Sequence, residues 1–272
     1  MTKRKHGSTR SKRLSNNMKK AYFFDMDGTL YSHRFHEVPP NTLKALYQLK
    51  EQGHLVCLAT SRTAQELAHL EQEVRTFPFD YRIIDGGAVV LDRNGKCVKK
   101  TAIAPHIIDR IASWCCRTGT PWRYACEDGM WWDIEGSQKE HDILFSLYLA
   151  VPEKKAYEHD EIVNAIVFTK NREAIAPLIQ DCSVIWYGSC VEIRAGGVDK
   201  AHAIRQICEK EHIAWRCCFG DGSNDIQMIE EADLGIAMGN AAQGLREAAD
   251  RVIGTVDEDG IWNFIQESME RE

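Results

Sequence analysis

The chain has 272 residues, 44% of them apolar, which is enough to bury a large core and excludes global disorder. No run of about 18 uncharged apolar residues occurs, so no membrane-spanning helix is expected. The net charge is −6, but eight of the 34 Lys/Arg lie within residues 1–20, which hold no acid, leaving 26 basic against 40 acidic residues in the rest; a body with that excess of acid argues against a nucleic-acid partner.

The basic head, residues 1–19, has no apolar segment of the kind a secretory signal carries and reads as a solvated tail. Residues 21–24, "AYFF", make a short apolar strand. Apolar positions at 43, 46, 47 and 49 predict a helix over 41–52, with Asn41 as its cap and Gly53 as its end. A strand over 54–59 and a helix over 63–74 follow. This alternation predicts a parallel sheet with helices on its faces.

The middle changes character. Residues 88–103 read as two strands around Asn94-Gly95, a hairpin signal. A helix over 106–117, strands over 122–125, 130–134 and 163–168, a helix over 172–180 and strands over 183–187 and 190–194 complete an α+β pattern. Alternation then returns: helix 199–211, strand 216–219, helix 224–231, strand 234–237, helix 241–248, strand 251–253 and helix 259–268. The expected architecture is α/β: a Rossmann-like parallel-sheet core from residues 20–86 and 189–272, with an α+β cap domain inserted over 87–188. Two crossings between the units create a cleft, a common place for a ligand.

Ten cysteines occur without a C-x-x-C spacing. They read as small core hydrophobes of a reducing, cytoplasmic protein rather than as zinc ligands.

In open α/β sheets ligands bind beyond the carboxyl ends of the strands. Asp25 and Asp27 stand just past the first strand, in "YFFDMDGTLY", followed by a turn on Gly28. Two adjacent carboxylates repel, so a positive partner is expected between them and a substrate. The segment "CFGDGSNDIQM" places Asp221, Asn224 and Asp225 at a second strand end. Hard oxygen ligands suit Mg²⁺, with carboxylates from Asp25 and Asp221 and a backbone carbonyl from Asp27. Thr60, at the end of the second strand, offers a hydroxyl and helix N-terminal N–H groups to an oxyanion. Lys200, near another helix start, is placed to neutralise a phosphoryl group and a nucleophile.

The segments "FFDMDGTL", "LATSR", that of Lys200 in "GGVDKAHAI", and "FGDGSNDIQMI", in this order, resemble the four motifs of the haloacid dehalogenase superfamily. The likeness is to its Cof-type branch with a type IIB cap, over roughly residues 20–90 and 186–268. The resemblance implies a Mg²⁺-dependent phosphatase acting on small phosphomonoesters, such as a sugar phosphate or a phosphorylated cofactor. It implies Asp25 as nucleophile forming an aspartyl-phosphate, and Asp27 as general acid and then base. Thr60 and Lys200 would hold the phosphoryl oxygens, with Asn224 and Asp225 in support. Ser61 stands where glycine is common in the branch, and Arg62 is kept.

In the cap, Trp131 and Trp132 point to opposite faces of one strand, so one is core and the other is a candidate to lie over the cleft. Trp131, Arg194, Ser61 and Arg62 are the candidate substrate contacts, with Arg123, Glu127 and Asp128 behind them. His33 and His36, just after the first motif, either stand exposed in a loop, the preferred reading, or border the mouth of the site. Rival readings are a phosphosugar mutase, which returns the phosphoryl group to a sugar hydroxyl, and a phosphate-sensing module without turnover.

Overall fold

The structure is a computed structural model that describes residues 19–146 and 149–270. The basic tail therefore lies almost wholly outside the described residues. The first half of the fold runs β1 (Ala21–Phe24), α1 (Pro40–Glu51), β2 (Leu55–Ala59), α2 (Ala64–Leu67), α3 (Gln72–Thr76), β3 (Tyr81–Ile84), β4 (Val89–Asp92) and β5 (Cys97–Lys100). There follow α4 (Pro105–Thr118), β6 (Trp122–Cys126), β7 (Gly129–Ile134), α5 (Gln138–Ser146), β8 (Asn164–Val167), α6 (Arg172–Ile175), β9 (Cys182–Tyr187) and β10 (Cys190–Ala195). The chain ends with α7 (Lys200–Lys210), β11 (Arg216–Gly220), α8 (Ile226–Glu230), β12 (Leu234–Ala237), α9 (Gln243–Ala248), β13 (Arg251–Val252) and α10 (Gly260–Met269).

Eight strands form one sheet in the order β13-β12-β11-β1-β2-β3-β4-β5. The six from β13 to β3 pair in parallel, and β4 and β5 add an antiparallel edge. Every residue of β1 and β2 is buried, as expected of parallel strands covered on both faces. Alternate residues serve the two faces. Tyr22, Phe24, Val56, Leu58 and Phe219 pack with Leu46 and Leu49 of α1 and Phe264 of α10. Phe23, Leu55, Cys57 and Cys218 pack with Ile204 and Ile207 of α7 and Met228 of α8.

Five antiparallel strands form a second sheet, β7-β6-β8-β10-β9. One face packs on Ile107, Ile108 and Ile111 of α4. Its other face looks toward the carboxyl ends of β1 and β11.

Several expectations are corrected. The 88–103 hairpin extends the first sheet rather than the cap, and β10 belongs to the cap sheet, so the crossings fall after β5 and after β10 instead of at 86 and 189. A turn signal fixes which strands pair with each other but not which sheet they join. The single helix expected over 63–74 is two, α2 and α3, interrupted over 68–71. Helix α1 starts at Pro40, whose fixed φ suits a first helical position. Asn41 lies inside that helix and instead donates to Asp259 at 2.8 Å. Strand β3 and helix α5 are absent from the expected elements.

Candidate active site

Strand β1 is flanked by β2 on one side and β11 on the other, so the connectivity reverses direction between β1 and β11. That is where a doubly wound sheet opens a crevice. Asp25 leaves β1 there and its N–H donates to the Phe219 carbonyl at 3.0 Å. Asp221 leaves β11 beside it. Helix α7 brings Lys200 beneath both. Asp199 caps that helix, accepting from the His202 N–H at 2.7 Å, which fixes Lys200 as the first helical residue.

Lys200 is 1% exposed. Its Nζ donates to Asp25 Oδ1 at 2.6 Å and to Asp225 Oδ1 at 2.7 Å. Asp225 is fully buried, and its Oδ2 accepts from the Asp221 and Gly222 N–H groups, both at 3.1 Å. Asp225 thus orients the ammonium and shapes the Asp221 turn. Burial, then the Asp225 charge, raises the Asp25 carboxyl well above its ordinary value against the pull of Lys200. The same two causes push Asp221 up to about 7. Burial would lower the Lys200 ammonium, but Asp225 and Asp25 raise it above its ordinary value, so it stays charged.

Asp25, Asp221 and Asp225 each bring a carboxylate oxygen within 4.8 Å of the others. Among the described residues the Asp221 carboxylate is held only by long contacts, Thr29 Oγ1 at 3.4 Å and Asn240 Nδ2 at 3.5 Å. Three carboxylates around one ammonium, with one of them loosely held, fit a hard divalent cation. Gly28 makes room for this grouping. Its φ is +74°, and a Cβ there would stand 2.7 Å from Asp221 Cγ and inside contact with its Oδ2.

Asp27 faces the other way, into a guanidinium fork. Arg62 Nε and Nη2 donate to Oδ2 at 2.9 Å and Oδ1 at 2.6 Å. His33 Nε2 lies 3.0 Å from Oδ1. Burial alone would raise the Asp27 carboxyl, but the hydrogen bonds from Arg62 and His33 hold it down to about 2. Thr60 Oγ1 accepts from the Arg62 N–H at 3.1 Å, and Asn224 Nδ2 donates to Ser61 Oγ at 3.3 Å.

These groups share a cavity of about 370 Å³ lined by Asp25, Asp27, Thr60, Ser61, Arg62, Asp221 and Asn224 from below and by the second sheet from above. The structure therefore brings together Asp25, Asp27, Thr60, Lys200, Asp221, Asn224 and Asp225, with Ser61 and Arg62 at the cavity wall. It does not bring in Trp131 or Arg194. Trp131 packs on the far face of the cap sheet against Tyr124, with the Lys155 ammonium 4.4 Å over its ring. Trp132 is fully buried beside Phe168. Arg194 is buried outside the cavity lining and donates through Nη1 to the Gly86 carbonyl, tying β10 to the turn after β3.

His33 lines the cavity, the less favoured of its two readings, and Arg123, a lesser candidate, lines it too. Glu66 of α2, and Asn164, Tyr187 and Glu192 of the upper wall, were not expected there. Arg123 Nη1 donates to Glu66 Oε1 at 2.9 Å, both groups buried. Glu66 also closes a capping box with Thr63 at the start of α2. That box was readable as T-x-x-E, but its third partner, on a strand of the other sheet, was not.

The family profile of haloacid dehalogenase-like hydrolases matches residues 22–265. YkrA of Bacillus subtilis (strain 168), a phosphatase by name, is 32% identical over 254 residues, covering 91% of this chain and 97% of its own. YcsE of the same organism, a 5-amino-6-(5-phospho-D-ribitylamino)uracil phosphatase, is 26% identical over 89% of this chain and 92% of its own. The structure of BT4131, a subclass IIB sugar phosphatase, superposes with a TM-score of 0.81 at 27% identity, covering 92% of this chain and 99% of that one. With the fold, the four motifs and these relatives in agreement, the chain belongs to the haloacid dehalogenase-like hydrolases, in the Cof-type branch, and is a phosphoric monoester hydrolase.

Proposed function

We propose that the protein is a Mg²⁺-dependent phosphatase of small phosphomonoesters, a sugar phosphate or a phosphorylated cofactor, working through an aspartyl-phosphate on Asp25. The observation that carries this reading is the buried Lys200 ammonium bridging Asp25 and Asp225 at the mouth of β1. It holds one oxygen of Asp25 and pulls against the burial and the Asp225 charge that disfavour the ionised carboxylate, while the other oxygen is left for attack. Asp25 would displace the ester oxygen in line, forming the acyl phosphate as the P–O bond to the leaving group breaks. Asp27 would give that oxygen a proton and then take one from the water that hydrolyses the intermediate.

Asp27 must be protonated for the first step, yet Arg62 and His33 favour its anion. Substrate binding would therefore have to draw Arg62 from Asp27 toward the phosphoryl oxygens. Thr60 and Lys200 would take the remaining phosphoryl oxygens. Asp25, Asp221 and the Asp27 carbonyl would hold the Mg²⁺, which when bound offsets phosphoryl charge. The substrates named for the relatives differ, so they leave the leaving group open. The ten unpaired cysteines suit a reducing compartment such as the cytoplasm.

The test is phosphate release from a panel of phosphomonoesters with Mg²⁺, with EDTA, and with Asp25→Asn. Release that needs the metal and is abolished by the substitution supports the reading. Undiminished release from Asp25→Asn sinks the aspartyl-phosphate route. Labelled phosphate passed to a sugar hydroxyl instead of to water would make the enzyme a mutase.

A further inference from the structure

We propose that the cap face of the cavity selects a flat, single-ring heterocyclic leaving group with a hydrogen-bond acceptor on one edge and a donor on the opposite edge. The proposal rests on the hydrolase reading above and narrows its substrate class.

The argument starts from strand register. Arg123 of β6 pairs with Ile166 of β8, and Ile166 pairs with Glu192 of β10. The three form one row across the sheet, and all three line the cavity. With strands about 4.8 Å apart, the ends of the row are roughly 10 Å apart at the backbone. A cation stands at one end, an anion at the other and an aliphatic side chain between them.

Both charged ends are buried, Arg123 6% and Glu192 2% exposed, yet each keeps hydrogen-bonding capacity. Arg123 commits Nη1 to Glu66 and to Met130 Sδ, which leaves Nε and Nη2 of the five N–H donors a guanidinium carries. Glu192 accepts from Asn164 Nδ2 at 2.8 Å on Oε1 and from the Tyr187 hydroxyl at 3.0 Å on Oε2, and Arg194 Nε lies 3.6 Å from Oε1. A carboxylate has about four lone-pair sites, so acceptor capacity remains.

Between the ends the wall is apolar. Phe168 and Leu144 join Ile166 in lining it. A hydroxyl-rich sugar would strand hydroxyls against these side chains, and unpaired buried hydroxyls are costly. A planar ring lays its faces on them and meets Arg123 and Glu192 with its edges. At about 370 Å³ the cavity lies near the small end of ligand pockets, roughly 300–1,000 Å³, which suits a phosphoryl group and one ring.

The experiment uses three phosphates that share a methylene ester. Pyridoxal 5′-phosphate has a ring with polar edges, benzyl phosphate a ring without them, and glucose 6-phosphate a saturated, hydroxyl-rich body. Affinity for each is measured by calorimetry on the full chain carrying Asp25→Asn, where binding is read without turnover. Turnover is measured on the wild type.

The expected order of affinity is pyridoxal 5′-phosphate, then benzyl phosphate, then glucose 6-phosphate. The first should lead the second by about tenfold or more. Adding Glu192→Gln should collapse the ratio of the first two affinities. Glucose 6-phosphate binding as tightly as the ring phosphates, or a Glu192→Gln effect equal on all three, overturns the proposal. The wild-type ranking needs no variant to fold. Ring-selective binding with no turnover of any substrate would leave the proposal standing and refute the hydrolase reading, so the two failures are distinguishable.

Discussion

Replacing Lys200 by Met tests the centre of the site. The ammonium is buried and lies 2.6 and 2.7 Å from two carboxylates. At an effective dielectric of about 20, each contact is worth about 6 kcal/mol of Coulomb attraction. Desolvation of the ions offsets most of that, and removing one partner of a buried ionic group leaves a net cost of about 3–5 kcal/mol. For a chain of this size that lowers the melting temperature by about 5–10 °C.

The sign of a metal effect follows from the same geometry. Without the ammonium, Asp25, Asp221 and Asp225 face one another with no internal cation, so Mg²⁺ should raise the melting temperature of Lys200→Met more than that of the wild type. Activity should fall by about 10²–10³-fold or more, since in the proposed mechanism the variant loses the charge that holds both Asp25 and a phosphoryl oxygen. Calorimetric melting with Mg²⁺ and with EDTA, beside phosphate release, measures all three effects. A variant that melts within about 2 °C of the wild type and keeps most of its activity would show that the bridge does not support the site.

Four further outcomes follow from the same contacts. In the wild type, Mg²⁺ at 100 times its dissociation constant should stabilise the fold by about 2.7 kcal/mol, and an EDTA-insensitive melting curve would contradict a cation site at Asp25 and Asp221. Gly28→Ala should cost about 1–2 kcal/mol for its left-handed backbone and weaken Mg²⁺ binding by displacing Asp221, so unchanged affinity by titration calorimetry would refute the packing argument. Glu66→Gln and Arg123→Met should each destabilise by about 3 kcal/mol, while the pair together costs little more than either alone; urea unfolding of the cycle checks this, and additive losses would deny the coupling. Native alkylation should label exposed Cys116 well before its neighbour Cys115, which is buried and pushed up to about 12; peptide mapping showing equal rates would contradict the assigned orientation of α4.

The core was legible because its signals are local. Strands β1 and β11 are apolar runs that end on acids, and a chain that places acids at two strand ends beside a topological reversal shows its site in one dimension. Asp25, Asp27, Asp221 and Asp225 could be read this way, as could Thr60 and Lys200. The cap was less legible because its cavity residues alternate with core residues along ordinary strands. In "WRYACEDGMWWDIEG" Arg123 stands out no more than Glu127 or Asp128, and nothing orients Trp131 toward α4 until the sheet has a partner on each side; of the three charged residues only Arg123 lines the cavity. Arg194 was placed near the cleft by chain position, and it is near, but it points at the Gly86 carbonyl. Gly86 admits it only because it has no side chain, since a Cβ there would stand 2.7 Å from Arg194 Cζ. The sequence leaves His33 between an exposed loop and the site mouth, because only the folded loop brings it to Asp27.

The hydrogen bonds described around Asp25, Lys200, Asp221 and Asp225 all run within the first layer, among β11, α7 and the turns that follow β1, β11 and β12. The charged row on the cap, Arg123 and Glu192, belongs to the second. On the proposed reading, reaction chemistry and selection of the leaving group belong to different layers, and substitutions in the cap should alter which ester is accepted more than how it is cleaved. Buried charged groups link the layers, Glu66 with Arg123 and Arg194 with Gly86, and the Met130 N–H donates across to Gln65 Oε1 at 3.1 Å. The cavity itself also joins them. Ser61 accepts from Asn224, and Tyr187, which lines the same cavity, donates its hydroxyl to Glu192. A glycine at position 61 would have no hydroxyl for Asn224. The cavity thus sets Ser61, in the loop after β2, and the Tyr187–Glu192 pair of the cap against the same space, so a change at either would be felt by one bound ester.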